Sequence, residues 1–396
     1  MLRQVARPGP EVLSRAKWTH DPGASSEPGG PRLPKTNNFD LIRLAAAFQV
    51  ALTHAVYQFD PSARSWPLHV VLDLFPGVPI FFFISGFLIS HSYERHPSLP
   101  DFARNRALRI YPALMVCFAL AVLSVWGSGY FDTVHVPPTA WVKWFATQLT
   151  IAQFYGPAFM RGYGMGILNA STWTISIELQ FYVLVPLLYG LLRLQRLSRN
   201  RSNAVLVVLA ITCMVINIVW VHAPQPGKGI YTLIGLTCLP WLYMFLTGVL
   251  LQRNFDLARK ALGGRFLPAV LLYGVLGLIA ARELHWRFNN DLNPVVFTSL
   301  ALVTFAAAFT APSLADRVLR RNDLSYGLYL YHAPVINLLL YTQAVTGLLG
   351  VLATLTAALV LAAGSWWLIE RPALALRRHP AYSHSAGTVA PRAGHA

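Results

Sequence analysis

Two reactive side chains share one apolar stretch, FDLIRLAAAFQVALTHAVY: a guanidinium at Arg43 and an imidazole at His54. Eleven residues of α-helix turn through about 1100°, so both lie on nearly the same face, offset by about 20° and about 16 Å apart along the axis. A fixed cation at one end and a titratable base at the other suit a reaction whose anionic handle is held away from the reacting bond. Each also has an ordinary explanation, His54 as an interfacial histidine bonded to a carbonyl and Arg43 as a cation reaching the headgroups.

Glu178 is the third such group, in STWTISIELQFYVLVPLLYG, about 10 Å into an apolar helix from its outer start. An ionisable residue inside a membrane span costs about 2.5 to 3.5 kcal/mol, which makes it a candidate for function. No lysine or arginine shares its helix, so its partner comes from elsewhere. His54 is expected at similar depth, and a carboxylate on one ring nitrogen would fix the tautomer and strengthen the other nitrogen as a general base. His332, among Tyr326, Tyr329 and Tyr331 in LSYGLYLYHAPVINLLLY, reads as a structural polar cluster between helices, with substrate contact the secondary reading. Ser85 and Ser176 are hydroxyls with a nucleophile's chemistry, read first as packing serines. In FARNRALRIYP, Arg106 and Arg109 are helical neighbours with Arg104 close by. Such clusters commonly only set topology, but paired guanidinium forks also match phosphate oxygens, and Arg43 is expected at the same level.

The elements that must hold these groups are membrane helices. Of 396 residues, 55% are hydrophobic and 12% charged, with a mean hydropathy of +0.46, which indicates an all-α polytopic membrane protein. About ten spans are predicted, near 40–58, 71–91, 110–127, 171–192, 203–222, 229–251, 266–281, 294–311, 324–342 and 346–369. The net charge of +16 is dispersed in short clusters between apolar runs, so no nucleic-acid partner is expected. Loops after even-numbered spans hold Arg95, Arg104, Arg106 and Arg109, then Arg193 to Arg201, Arg253 to Arg265, and Arg317 to Arg321. Loops after odd-numbered spans hold few cations: Arg64, Lys143, Arg161, Lys228, Arg282 and Arg287. Both termini are therefore expected in the cytoplasm. Residues 1–37 read as a disordered basic tail, 38–378 as one membrane domain and 379–396 as a second disordered tail. In the outer connection 128–170, TAWVKWFATQLTIA reads as an interfacial segment and RGYGMGILN as a flexible loop. Cys117, Cys213 and Cys238 sit in apolar runs without metal-ligand spacing and read as packing residues, so no metal is expected.

Together these residues resemble acyltransferase family 3, integral membrane O-acyltransferases that modify envelope or secreted glycans and small molecules. The likeness rests on the Arg43/His54 spacing, GVPIFFFISGFLIS (Gly77 to Ser90), the Arg106/Arg109 pair, WTISIELQFY (Trp173 to Tyr182), SYGLYLYHAPV (Ser325 to Val335) and a closing IERP (Ile369 to Pro372). The resemblance implies about ten helices, an essential histidine at His54, functional weight for Glu178, and Arg43, Arg106 and Arg109 as holders of an acyl-CoA co-substrate, expected to be acetyl-CoA. It makes Ser85, Trp173, Ser176, Tyr182, Tyr326 and His332 supporting residues, with no tightly bound cofactor. The acceptor would be a carbohydrate or glycolipid hydroxyl, and the location a bacterial inner membrane. Two positions depart from the family pattern: Pro79 and Leu179 stand where many members carry an acidic residue. No SGNH-type hydrolase domain is expected. The rival reading is a glycan or small-molecule exporter without acyl-transfer chemistry, suggested by Pro76, Pro79, Pro186, Pro240 and Pro334 within spans. A purely structural scaffold would leave the burial of Glu178 unexplained.

Overall fold

Apolar sequence in lipid must satisfy its backbone groups within the chain, and a helix does this segment by segment. The computed structural model describes residues 33, 34, 36–223, 229–284 and 288–377; residues 1–32, the tail 379–396, Lys228 and Arg287 lie outside the described residues. Among the described residues there are helices and turns but no strand. In order they are α1 (Phe39–Phe59), α2 (Pro67–Asp73), α3 (Gly77–Arg95), α4 (Leu99–Gly127), α5 (Pro138–Gln148), α6 (Trp173–Leu191), α7 (Arg199–Val221) and α8 (Ile230–Gly235). There follow α9 (Leu242–Arg253), α10 (Phe255–Leu262), α11 (Phe266–Arg282), α12 (Pro294–Ala308), α13 (Leu314–Leu319), α14 (Ser325–Thr342), α15 (Gly347–Ser365) and α16 (Arg371–Ala375).

Every predicted span contains a helix, yet among the described residues only six helices are long and apolar enough to cross a bilayer alone, or seven if α10 and α11, bent by 85°, count as one. The differences have local causes. The span predicted over 229–251 is broken between α8 and α9 by a 3-10 turn at Leu239–Trp241 that carries Pro240. The α9 remnant has twelve residues and is buried from Leu242 to Val249, so it is a core helix. Its tightest crossing is with α3, where a Cβ on Gly86 would fall on the Phe245 carbonyl and one on Gly248 on the Phe83 carbonyl. Small residues at this crossing let two backbones touch. Of the arginines expected in a loop before the third span, Arg95 ends α3 and Arg104, Arg106 and Arg109 ride on α4, which begins at Leu99. α4, α6 and α14 run through Pro112, Pro186 and Pro334, so those prolines do not divide the helices.

The connection 128–170 folds onto the bundle. Trp144 of α5, predicted to be interfacial, is fully buried, with its ring 5.5 Å from Phe118 of α4 and 5.2 Å from Phe159. The glycine-rich stretch read as flexible is pinned by Asn337 of α14, which accepts from the Met165 amide at 2.7 Å and donates to the Ile167 and Leu168 carbonyls at 2.7 and 2.9 Å. Gly164 has a φ of +54° and abuts that side chain. The partner lies 172 residues away in sequence, beyond the reach of local composition. α1 packs between α3, α14 and α15, and so its polar face looks into the bundle.

Candidate active site

Arg43 and His54 leave α1 towards the interior, as their spacing predicts, and each meets α14 or the turn before it. At the arginine end, Asp323 collects charge. Its carboxylate is 2.5 Å from Arg109 Nη2 of α4 and 3.7 Å from Arg43 Nη2, and Arg43 also pairs with Asp40 on its own helix. The other carboxylate oxygen of Asp323 accepts from the Ser325 amide and hydroxyl at 3.1 and 2.5 Å, satisfying a free donor at the start of α14. Burial alone would raise the Asp323 carboxyl, but Arg109, Arg43 and the Ser325 bonds outweigh it and hold it well below the usual carboxylate range. Arg109 is also 3.9 Å from Glu370 of the IERP motif. Arg106 lies over the rings of Phe102 and Tyr182, 5.7 Å from each centroid.

These groups line a cavity of about 330 Å³ whose wall holds five arginines, Arg43, Arg106, Arg109, Arg321 and Arg377, against three carboxylates, Asp40, Glu178 and Asp323. The surplus is two positive charges. Burial, together with Arg109 and Arg106 close by, lowers Arg377 to about 10. The side-chain Nε atoms of Arg43, Arg106 and Arg377 are buried with no bonding partner among the described residues. A surplus of guanidinium groups with free, preorganised donors is what a polyanion such as a pyrophosphate needs.

A narrow passage of about 70 Å³ continues inward between Phe81, Phe82, Ile175 and Tyr326. It shares Arg43, Ser85, Arg109 and Glu178 with the cationic cavity. On its far side it shares Val78 and Tyr329 with a third cavity of about 380 Å³ that contains His54, Gln49, Thr53, Asn289, Asn290 and Trp173. Three cavities thus follow the polar face of α1 in sequence, from Arg43 to His54.

The expected His54–Glu178 bond is not formed. Glu178 accepts from Tyr182 at 2.6 Å, one turn along α6, and from Ser85 of α3 at 3.4 Å, and it faces the two cavities nearer the arginines. His54 instead meets His332, with Nδ1 2.9 Å from Nε2. The histidine read as part of a structural cluster is therefore the direct partner of His54. Depth along separate helices gave no information on which helices adjoin α1, and α1 packs on α14. Tyr326 donates to the Ile110 carbonyl at 2.9 Å beneath Arg109, which lies 5.6 Å above its ring. Trp173 lines the His54 cavity against Trp241, 5.0 Å away. Ser176 lines none of the three cavities, and its hydroxyl has no partner among the described residues. Asp323, Arg377 and the site role of Glu370 were missed in the sequence. The legible signals were Asp323 two residues before Ser325 at a helix start, and Glu370 within IERP.

A family model described as "Acyltransferase domain" matches residues 36–370. The chain is 32% identical over 362 residues to "Nodulation protein 10" of Rhizobium leguminosarum bv. viciae, covering 86% of this chain and 94% of that protein. It is 25% identical over 349 residues to "O-acetyl transferase" of Shigella phage Sf6, covering 85% and 96%. It is also 25% identical over 339 residues to "Acyltransferase MdmB" of Streptomyces mycarofaciens, covering 78% and 80%. No solved structure matches.

Proposed function

Because the chain belongs to the acyltransferase family whose domain spans residues 36–370, we propose that this integral membrane O-acyltransferase moves an acetyl group from acetyl-CoA to a hydroxyl of a sugar-containing acceptor. The setting is a bacterial inner membrane, with the arginine end in the cytoplasm, in keeping with the distribution of loop cations. The observation that carries this reading is the succession of cavities with shared walls from the five arginines to His54. Arg43, Arg106 and Arg109, with Arg377, would receive the phosphates of the donor. The narrow passage suits an extended arm and a small acyl group better than a bulky one. At its far end the thioester would meet His54 in a cavity rich in amides and hydroxyls, groups that pair with sugar hydroxyls.

The chemistry balances with the residues present. His54 takes the proton of the acceptor hydroxyl, whose oxygen forms the new C–O bond at the thioester carbonyl. The C–S bond breaks, and the departing thiolate takes the proton back from the imidazolium. General-base help of this kind is worth about 10²- to 10⁴-fold. Neither Ser85 nor Ser176 bonds to a histidine, which favours direct transfer over an acyl-serine. The names of the relatives from Shigella phage Sf6 and Streptomyces mycarofaciens, an O-acetyl transferase and an acyltransferase, support transfer over export.

The test uses membranes containing the full chain, radiolabelled acetyl-CoA and a panel of envelope glycans. Label should pass to an acceptor with wild type and fall at least about 10²-fold with His54→Ala at equal expression. No transfer, or equal transfer by the variant, overturns the proposal. Arg106→Ala should raise KM for acetyl-CoA more than KM for the acceptor; the reverse would move that arginine to the acceptor site.

A further inference from the structure

The bond between His54 and His332 contains enough chemistry to say which nitrogen does the work. At 2.9 Å between His54 Nδ1 and His332 Nε2, one proton must lie between the rings, because two lone pairs or two N–H groups at that distance repel. The far side of the second ring decides its owner. His332 Nδ1 is 3.3 Å from the Leu328 carbonyl oxygen, one turn back along α14. A carbonyl only accepts, so His332 Nδ1 carries a hydrogen. His332 is fully buried, and its ring meets His54 and the backbone of Leu328 and Tyr329, with no carboxylate among them, so it is held neutral. A neutral imidazole has a single N–H. His332 Nε2 is therefore bare and accepts, and the shared hydrogen belongs to His54 Nδ1.

We infer that the Leu328 carbonyl and His332 form a tautomer-setting relay that leaves His54 Nε2 as the bare, proton-accepting nitrogen. The inference rests on His54 being the base of the proposed transfer. His332 lines none of the three cavities and acts through His54, which makes it a positioning residue. The Tyr329 ring packs against it in a T-shaped contact, with centroids 5.9 Å apart and planes at 66°, and restrains its rotation. When His54 Nε2 takes the hydroxyl proton, Nδ1–H stays bonded to His332 Nε2, so the imidazolium gains an oriented acceptor and no proton needs to cross to His332. The proton leaves by the route already given, from His54 to the thiolate sulfur. His332 here fills the orienting place that a carboxylate has when a histidine base is held by an acid, and the Leu328 carbonyl in turn orients His332.

Two measurements test the relay. The full-length protein, labelled with nitrogen-15 histidine and reconstituted in liposomes, is studied by solid-state NMR, with His54→Ala and His332→Gln identifying the two residues' resonances. His54 should be protonated at Nδ1 and bare at Nε2, and His332 protonated at Nδ1; a hydrogen on His54 Nε2 overturns the relay. In the acetyl-transfer assay, His332→Leu should lower kcat about 10- to 100-fold, the size seen when the partner of a metal-bound histidine is removed, with KM for the donor unchanged. His332→Gln, whose amide oxygen can accept from His54 Nδ1, should recover most of that loss. Wild-type kcat in His332→Leu, or a glutamine variant no better than leucine, overturns the positioning role while leaving acyl transfer standing. If wild type transfers nothing, the proposed function falls and the NMR spectrum still decides the tautomer. Should His332→Leu not fold, wild-type spectra and the glutamine variant suffice.

Discussion

Asp323 joins two tasks at one carboxylate: it bonds the first turn of α14 through Ser325 and it opposes Arg109 and Arg43. Its removal would leave two largely buried guanidinium groups with weakened compensation, and the loss of one partner from a fully buried pair commonly costs about 3 to 5 kcal/mol. Asp323→Asn should therefore lower the thermal midpoint of the detergent-solubilised protein, with a deficit of about 3 kcal/mol. Because the folded carboxyl is held below its ordinary value, its stabilisation is fully present above about pH 4, where the unfolded carboxyl is ionised. It is lost as the pH falls through the folded value. The gap between wild type and Asp323→Asn should then stay constant from neutral pH down to about pH 4 and narrow below it; a gap that widens on acidification would show that the ion pairs are not its source. At this scale the sequence discloses reactive groups better than their partners. Arg43, His54, Glu178 and the Arg106/Arg109 pair stand out because charge in an apolar run is costly and therefore rare. Whether His54 faces Glu178 or His332 depends on a helix 278 residues away, and no local pattern encodes that choice.

Among the elements, the crossing of α3 and α9 is the one with least room. A side chain larger than hydrogen at Gly248 must displace the backbone of α3 near Phe83 and Phe87, and overpacking of this kind typically costs about 1 to 3 kcal/mol even where side chains can shift. Gly248→Val should reduce the yield of folded, monodisperse protein, whereas Gly190→Ala, at a helical glycine with nothing within 4 Å of the added carbon, should leave it unchanged or slightly higher. Comparable yields from both variants would contradict the close approach. α3 also supplies Ser85 to Glu178, so a displaced crossing should raise KM for the donor as well. The helical segments were legible because lipid leaves few alternatives to a helix, and apolarity locates each one. Their ends were less so. Arg106 and Arg109 belong to α4, not to a loop, because nothing between Leu99 and Gly127 stops a helix, Pro112 included. α9 reads like a span by composition, yet it is short and buried because Leu239–Trp241 turns the chain just before it.

Across the whole molecule, the proposed reaction requires its two ends to open on opposite sides of one bilayer, since the donor phosphates would enter at the arginines and the acceptor at His54. The helix rise between Arg43 and His54, about 16 Å, spans roughly half of a hydrocarbon core of about 30 Å, and a cavity lies at either end of it. Cysteine labelling can read this directly, because Cys117, Cys213 and Cys238 are all buried and should give little background. Gln58, exposed at the end of α1 and in the wall of the His54 cavity, marks one mouth; Arg104, exposed on α4 just before Arg106 and Arg109, marks the other. In intact cells a membrane-impermeant maleimide should label Gln58→Cys, and should label Arg104→Cys only after permeabilisation. Labelling of both from the same side would place the two mouths in one compartment. The cavities would then form a pocket entered from a single face, and donor and acceptor would have to approach His54 together, which the narrow passage beside Tyr329 does not accommodate.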